Sequence, residues 1–284
     1  VCGDEYDEAF AGFARFTKSL MSRQHRRRYM DRLVLKRIIL VILLGITAAL
    51  PASAQDKADS EFERKTYEYV YEHPEFLLDY PELIQRAGEL ARQREDKKRV
   101  EKRLQTLQTN HNVIYDTAFH ALEGQPGATT TMLVFTDYQC PPCRLAERHL
   151  KTILERNPQV NILHLQLPVY GDMSEVAARS ALAANSQGRF IEYHHSLMAA
   201  PLPLTLQRIL ELAYESALDT EELQSRMHDS DIRLHLRLIR EIAEELDIHG
   251  TPAFVVNGHL LQGGIDGDRL SRFVATAVAG SVEN

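Results

Sequence analysis

The sequence predicts an α/β domain with an inserted helical lobe, preceded by a helical arm. Three observations carry that expectation. Thr130–Thr136 is a β-branched, apolar run that reads as a buried strand, and it leads into a helix-period segment, Arg144–Arg156. About residues 174–246 are helical by pattern. Asn257-Gly258 separates two short apolar runs, Ala253–Val256 and His259–Gln262, which is a specific signal for a two-residue hairpin. Strand, helix, strand, helical insertion, hairpin and helix is an α/β order. A chain of 284 residues, 44 % of them apolar, has room for one large domain or two small ones.

The first 54 residues read as a leader. Met21–Arg37 is basic, with Arg26-Arg27-Arg28 and Lys36-Arg37, and Ile38–Leu50 is almost unbroken apolar sequence. Pro51-Ala52-Ser53-Ala54 then supplies a small-x-small end. These are the parts of a secretory signal peptide cut after about Ala54, and the apolar run is short for a membrane span. Val1–Leu20 lies ahead of the basic region and reads as an extension from a start site placed too early, with Met21 or Met30 as the alternatives. Residues 1–54 hold nine of the 33 Lys/Arg but five of the 40 Asp/Glu, so the remainder carries a formal −11 against −7 for the whole chain. That balance argues against nucleic acid as a partner.

Residues 55–122 read as the arm. Tyr67, Val70, Tyr71, Phe76, Leu77, Leu78 and Leu83 form an apolar group around Pro74 and Pro81. Arg92–Arg103 is charged and solvated, and Val100, Leu104, Leu107, His111, Ile114, Ala118 and Ala121 follow a 4-3 repeat. Such a stripe needs a cover, so the arm is expected to pack on a second copy of the chain; the alternative is folding back on its own domain.

Residues 123–284 read as the domain proper. Asp137-Tyr138-Gln139 turns out of the first strand, with Asp137 expected as an exposed turn residue bonding its own backbone. Asn157-Pro158 ends the helix, and Val160–Leu167 alternates as a second strand. Ser174 is a candidate N-cap for the first inserted helix, with Glu175 in its first turn. Further helices are expected at about 189–199, 205–216, 220–228 and 231–246, with Asp219 opening the third. Asp266 or Asp268 opens a last helix to about Ala279.

Once the leader and Cys2 are removed, the cysteines are Cys140 and Cys143 alone. A disulfide across so short a loop barely constrains the unfolded chain, and a structural zinc site needs about four ligands. A redox-active dithiol needs only this pair, placed where a strand feeds a helix. Unpaired N–H groups and the helix dipole favour a thiolate at Cys140. Cys140 is therefore expected as the attacking thiol, exposed at the helix tip, with Cys143 as the buried resolving thiol. Pro141 and Pro142 suit a first helical turn but bring no N–H, which leaves Cys143 N–H as the donor to the Cys140 sulfur. The thiolate is accordingly expected to be only moderately stabilised, which favours isomerase or reductase work over strong oxidation.

Phe135-Thr136-Asp137-Tyr138-Gln139-Cys140-Pro141-Pro142-Cys143, Leu167-Pro168-Val169-Tyr170-Gly171, Ser174–Ala184, Phe190-Ile191-Glu192-Tyr193-His194 and Ile248–Gly258 carry a family likeness. Over about residues 125–280 the chain resembles the DsbA-like branch of thioredoxin-fold proteins, most nearly the ScsC/Com1-type periplasmic proteins. The resemblance implies a thioredoxin-like core with an inserted lobe, and a cis Thr251–Pro252 bond that faces the cysteines and pairs with an extended substrate. It implies a periplasmic thiol–disulfide oxidoreductase or isomerase whose only redox group is the Cys140–Cys143 disulfide. Expected partners are unfolded or misoxidised exported proteins, a membrane protein that resets the dithiol, and further copies of the chain through residues 55–122. One departure is Val134, which stands where many relatives place a buried carboxylate, so water replaces a side-chain proton shuttle. The family's ties to copper tolerance supply the alternative, a copper-binding or copper-relay protein using the same sulfurs. No Met/His cluster adjoins them in sequence, so no metal site is expected; His149, His194, His195 and His249 stay ambiguous.

Overall fold

A computed structural model describes residues 52–279, with side chains from residue 61. The basic and apolar parts of the expected leader, and Cys2, lie outside the described residues. The chain divides into two compact units on either side of Ile84 and Gln85.

In the first unit, helix α1 (Ala52–Glu72) is followed by the short α2 (Glu75–Asp79). Pro74 lies between these helices and Pro81 is the first residue of the next, positions where a missing N–H costs least. The rings of Tyr69, His73, Phe76 and Tyr80 meet in succession, tilted or edge-on, with centroids 4.7–5.9 Å apart. Tyr67, Tyr71 and Leu78 remain exposed.

Helix α3 runs Pro81–Thr109 and α4 His111–Ile114. The 4-3 stripe does not form one continuous helix. Asn110 turns its side chain back onto Thr106 O and the helix stops there. In the second unit the stripe divides: Val100 and Leu104 abut Gly258, while Leu107 and Ile114 enter the core beside Leu133 and Phe135. Arg103 Nε donates to Leu246 O at 3.0 Å and its guanidinium pairs with Asp247.

The sheet has five strands: β1 (Leu122–Glu123), β2 (Thr130–Thr136), β3 (Val160–Gln166), β4 (Ala253–Val256) and β5 (His259–Gln262), in the order β1-β3-β2-β4-β5. β2 and β3 are parallel, and every other pairing is antiparallel. Central β2 is buried on both faces, which is why its sequence is a continuous apolar run. Met132 and Val134 face α5 (Pro141–Arg156) and α11 (Gly267–Ala279). Leu133 and Phe135 face α4 and α10 (Ser230–Glu245). At the hairpin Asn257 and Gly258 both take positive φ, +49° and +76°.

Between β3 and β4 the chain adds α6 (Asp172–Asn185), α7 (Phe190–Ala199), α8 (Leu206–Glu215), α9 (Thr220–Arg226) and α10, with a core of their own around Ala177, Ala181, Tyr193 and Ile209. Asp219 caps α9 through Glu221 and Glu222 N–H. Ser174 does not cap α6: the helix starts at Asp172, and the Ser174 hydroxyl is buried inside its first turn, donating to Asp137.

Candidate active site

α5 starts three residues earlier than its apolar period, because Pro141 and Pro142 occupy its first two positions and Cys140 is the N-cap. The Cys140 sulfur accepts from Cys143 N–H at 3.4 Å, the one donor the two prolines leave. Opposite it, the Thr251–Pro252 peptide is cis, and Thr251 O lies 3.3 Å from the Cys140 sulfur. Both cysteines are free thiols.

The electrostatics separate the two sulfurs. The Cys143 thiol, donating to Cys140, brings the Cys140 pKa down to about 6; burial opposes this, and Thr251, the Cys143 N–H and the Tyr170 hydroxyl add to it. Burial pushes the Cys143 thiol well up, and the proton it shares with Cys140 adds to that. One sulfur is an anion at neutral pH and the other keeps its proton.

Two expectations are corrected here. Cys140 is not exposed: its accessible surface is nil. The cis-proline loop covers the sulfur on one side and Tyr170, itself half exposed, faces it from the β3–α6 connection. Asp137 is not exposed either; it keeps 2 % of its surface. It does bond its own turn, through Gln139 N–H at 2.7 Å, but it also accepts from Val169 N–H at 2.7 Å, Tyr170 N–H at 3.0 Å and the Ser174 hydroxyl at 2.7 Å. Asp137 thus holds the Tyr170 backbone beside the dithiol, a role its place in a turn did not suggest. Val134 packs among Met132, Ala146 and Phe254, so no carboxylate stands at that position.

The lobe is fastened to the same turn. Arg144 donates to Tyr138 O, Met198 O and Ala200 O. Gln139 pairs with the Leu204 backbone, and the Tyr138 hydroxyl lies 2.8 Å from His194 Nδ1. Deeper still, Glu147, His164 and His194 are grouped closely enough to hold a metal ion.

Tyr170→Phe is expected to raise the Cys140 pKa above about 6 by removing a donor from its sulfur. The midpoint of the alkylation rate against pH checks it.

A dithiol at a helix tip opposite a cis-proline, on a sheet of this order, defines a thioredoxin-fold domain. More narrowly, the chain belongs to the DsbA-like thioredoxin family of thiol–disulfide oxidoreductases: the model described as "DSBA-like thioredoxin domain" matches residues 131–275. Among solved structures, a thioredoxin-like oxidoreductase from Silicibacter pomeroyi is 30 % identical with TM-score 0.56, covering 62 % of this chain and 99 % of its own. The catalytic domain of Proteus mirabilis ScsC is 28 % identical with TM-score 0.55, covering 62 % and 98 %. A periplasmic thioredoxin-like protein from Salmonella enterica serovar Typhimurium is 25 % identical with TM-score 0.54, covering 60 % and 95 %. The Na(+)/H(+) antiporter NhaA 1 of Salinispora arenicola is 31 % identical over 164 residues, 56 % of this chain and 25 % of the antiporter. The chain thus spans about a quarter of the length of the first curated relatives it matches. Among the described residues no helix is long and apolar enough to cross a membrane.

Proposed function

We propose that this chain is an exported, periplasmic thiol–disulfide oxidoreductase acting on other exported proteins through its Cys-Pro-Pro-Cys pair. The observation that carries this is the opposed displacement of the two thiols: Cys140 lowered to about 6, Cys143 raised, with the cis-proline loop against the reactive sulfur. The Cys140 thiolate attacks a substrate disulfide. A Cys140–substrate bond forms as the substrate S–S bond breaks, and the released thiolate takes a proton. Cys143 then gives up its proton and attacks Cys140, freeing the substrate sulfur as a second thiol. The Cys140–Cys143 disulfide has lost two electrons and the substrate has gained them. The reverse sequence oxidises a dithiol substrate. In both directions the Thr251 backbone pairs with the extended substrate, and a membrane redox partner resets the pair.

A thiolate pKa near 6 lies between the roughly 3.5 of a strong periplasmic oxidant and the roughly 7 of a cytosolic reductant. We assign the protein to shuffling or reducing wrong disulfides ahead of strong oxidation, with a reduction potential between about −120 and −270 mV. Self-association through the arm rests on the exposure of Tyr67, Tyr71 and Leu78. The test is the refolding of a substrate with scrambled disulfides by the full chain in a glutathione buffer. Recovery of native substrate faster than in buffer alone supports the reading. Recovery at the buffer rate, from protein that is folded and reduced, contradicts it.

A further inference from the structure

Beneath the helix that carries the dithiol, side chains far apart in sequence converge. Glu147 lies one turn beyond Cys143 on α5, His164 is on β3, and His194 is on α7. One ligand atom from each lies within 4.8 Å of the other two. The two imidazole centroids are 4.2 Å apart, and His194 Nε2 is 3.4 Å from Glu147 Oε2. Both histidines are fully buried, and Glu147 keeps 10 % of its side-chain surface.

Each ring has one nitrogen held by a hydrogen bond; the second nitrogen of His194 has only the Glu147 carboxylate 3.4 Å away, and that of His164 has no partner. His194 Nδ1 is 2.8 Å from the Tyr138 hydroxyl, and His164 Nε2 is 2.9 Å from Glu123 Oε2. His194 Nε2 and His164 Nδ1 are buried with no hydrogen bond. Native interiors rarely leave such atoms unpaired, and an unpaired buried nitrogen beside a carboxylate calls for a missing partner. A ligating imidazole whose other nitrogen is oriented by a carboxylate or hydroxyl is the usual arrangement around a bound metal. Of the three side chains Glu147 alone borders a groove of about 1020 Å³, which Glu123, His195, Lys151 and Leu202 also line.

We propose that Glu147, His164 and His194 form a binding site for a divalent transition-metal ion, with Zn²⁺ as the fitting case, separate from the dithiol. Two imidazoles and one carboxylate are a borderline-hard donor set that suits Zn²⁺ and its neighbours, and the set lacks the sulfur that would select Cu(I). A bound ion fills the empty side of both rings and fixes the His194 Nδ1–H against Tyr138, two residues before Cys140. The site touches the dithiol's surroundings through that hydrogen bond and through Glu147 on the same helix, and takes no part in sulfur exchange. The three ligands share no sequence motif: His164 of β3 and His194 of α7 are brought beside Glu147 of α5 by the fold.

The experiment uses the full chain with Cys140 and Cys143 oxidised to the disulfide, which withdraws both sulfurs, stripped with EDTA and titrated with Zn²⁺ by calorimetry and with Co²⁺ by absorption. Saturable binding of one ion per chain is expected, with a Co²⁺ spectrum free of thiolate charge-transfer bands. Glu147→Gln and His194→Gln should each weaken it by more than the roughly 10-fold that losing a group merely supporting a ligand costs. A Cys140→Ser/Cys143→Ser double variant should bind as the parent does. Absence of saturable binding to the oxidised parent overturns the proposal, whatever the variants do. Undiminished binding in a folded Glu147→Gln chain, or binding lost with the cysteines, overturns it as well.

Discussion

Cys140→Ser is expected to reduce disulfide exchange to the uncatalysed rate, whereas Cys143→Ala is expected to leave a chain that attacks substrates and then stays bound to them. The asymmetry follows from the two sulfurs' surroundings. At pH 7 a thiol with a pKa of about 6 is roughly 90 % ionised, against roughly 3 % for an ordinary cysteine near 8.5. No other described thiol can take that place, because burial keeps Cys143 protonated. In Cys143→Ala the first step survives on the remaining donors, the backbone N–H of residue 143 and the Tyr170 hydroxyl, while the step that releases the substrate is gone. Mixed disulfides should therefore accumulate and be visible as reductant-sensitive adducts on a non-reducing gel. The Cys140 pKa should also rise in that variant, because the donated Cys143 proton is the largest single contribution to lowering it. Adducts formed equally by Cys140→Ser would place the attack on another residue.

Asp137→Ala is expected to be the most damaging single change outside the cysteines. The carboxylate sits with 2 % of its surface accessible and accepts four hydrogen bonds, three from backbone N–H groups and one from Ser174. Removing it leaves the buried Ser174 hydroxyl and three part-buried backbone N–H groups without their acceptor, and with hydrogen bonds to a charged group worth about 1.5–3 kcal/mol each, a loss of about 3–5 kcal/mol is expected. For a domain of this size that is a fall in Tm of roughly 10 °C, read by calorimetry or circular dichroism. Two of the stranded groups are the N–H groups of Val169 and Tyr170, so the Tyr170 hydroxyl should lose its position beside Cys140. A folded remnant should consequently show a Cys140 pKa above that of the parent. A melting temperature within a degree or two of the parent would mean the carboxylate contributes little, as an exposed turn aspartate would.

The order of elements was legible because each local signal agreed with the packing it serves. Thr130–Thr136 reads as a continuous apolar run because both faces of β2 are covered, and Asn257-Gly258 because a tight hairpin needs two residues at positive φ. The place of Cys140 at a helix start was legible for the same reason: Pro141 and Pro142 fit no other part of a helix. What depended on distant chain was not legible. The cover over Cys140 comes from Tyr170 and Thr251, and the burial of Asp137 from the β3–α6 connection, which no local pattern foretells. Strand β1 is two residues long and carries no periodicity. The 4-3 stripe misled because its period continues past Asn110, while the backbone turns there and sends Ile114 into the sheet. Tyr170 could have been found, since it lies in the Leu167–Gly171 stretch that carries the family likeness; Glu123, Glu147, His164 and His194 offer no shared motif.

The thiolate also sets the sign of a pH effect on stability. A folded-state pKa near 6 below an unfolded value near 8.5 stabilises the reduced fold; that contribution is complete above about pH 8.5 and is lost as pH falls through about 6. The oxidised chain has no such contribution, so the stability of the reduced chain relative to the oxidised one should fall on acidification.

The most direct test of the central claim, that Cys140 is held as an anion against the cis-proline loop, is the rate at which reduced full-length protein loses its Cys140 thiol to iodoacetamide as pH is varied, followed by mass spectrometry of the modified residue. A single titration with its midpoint at about 6 is expected, with little modification of Cys143 over the same range. A midpoint near 8.5, or a Cys140 that resists alkylation at every pH where the protein stays folded, would contradict it.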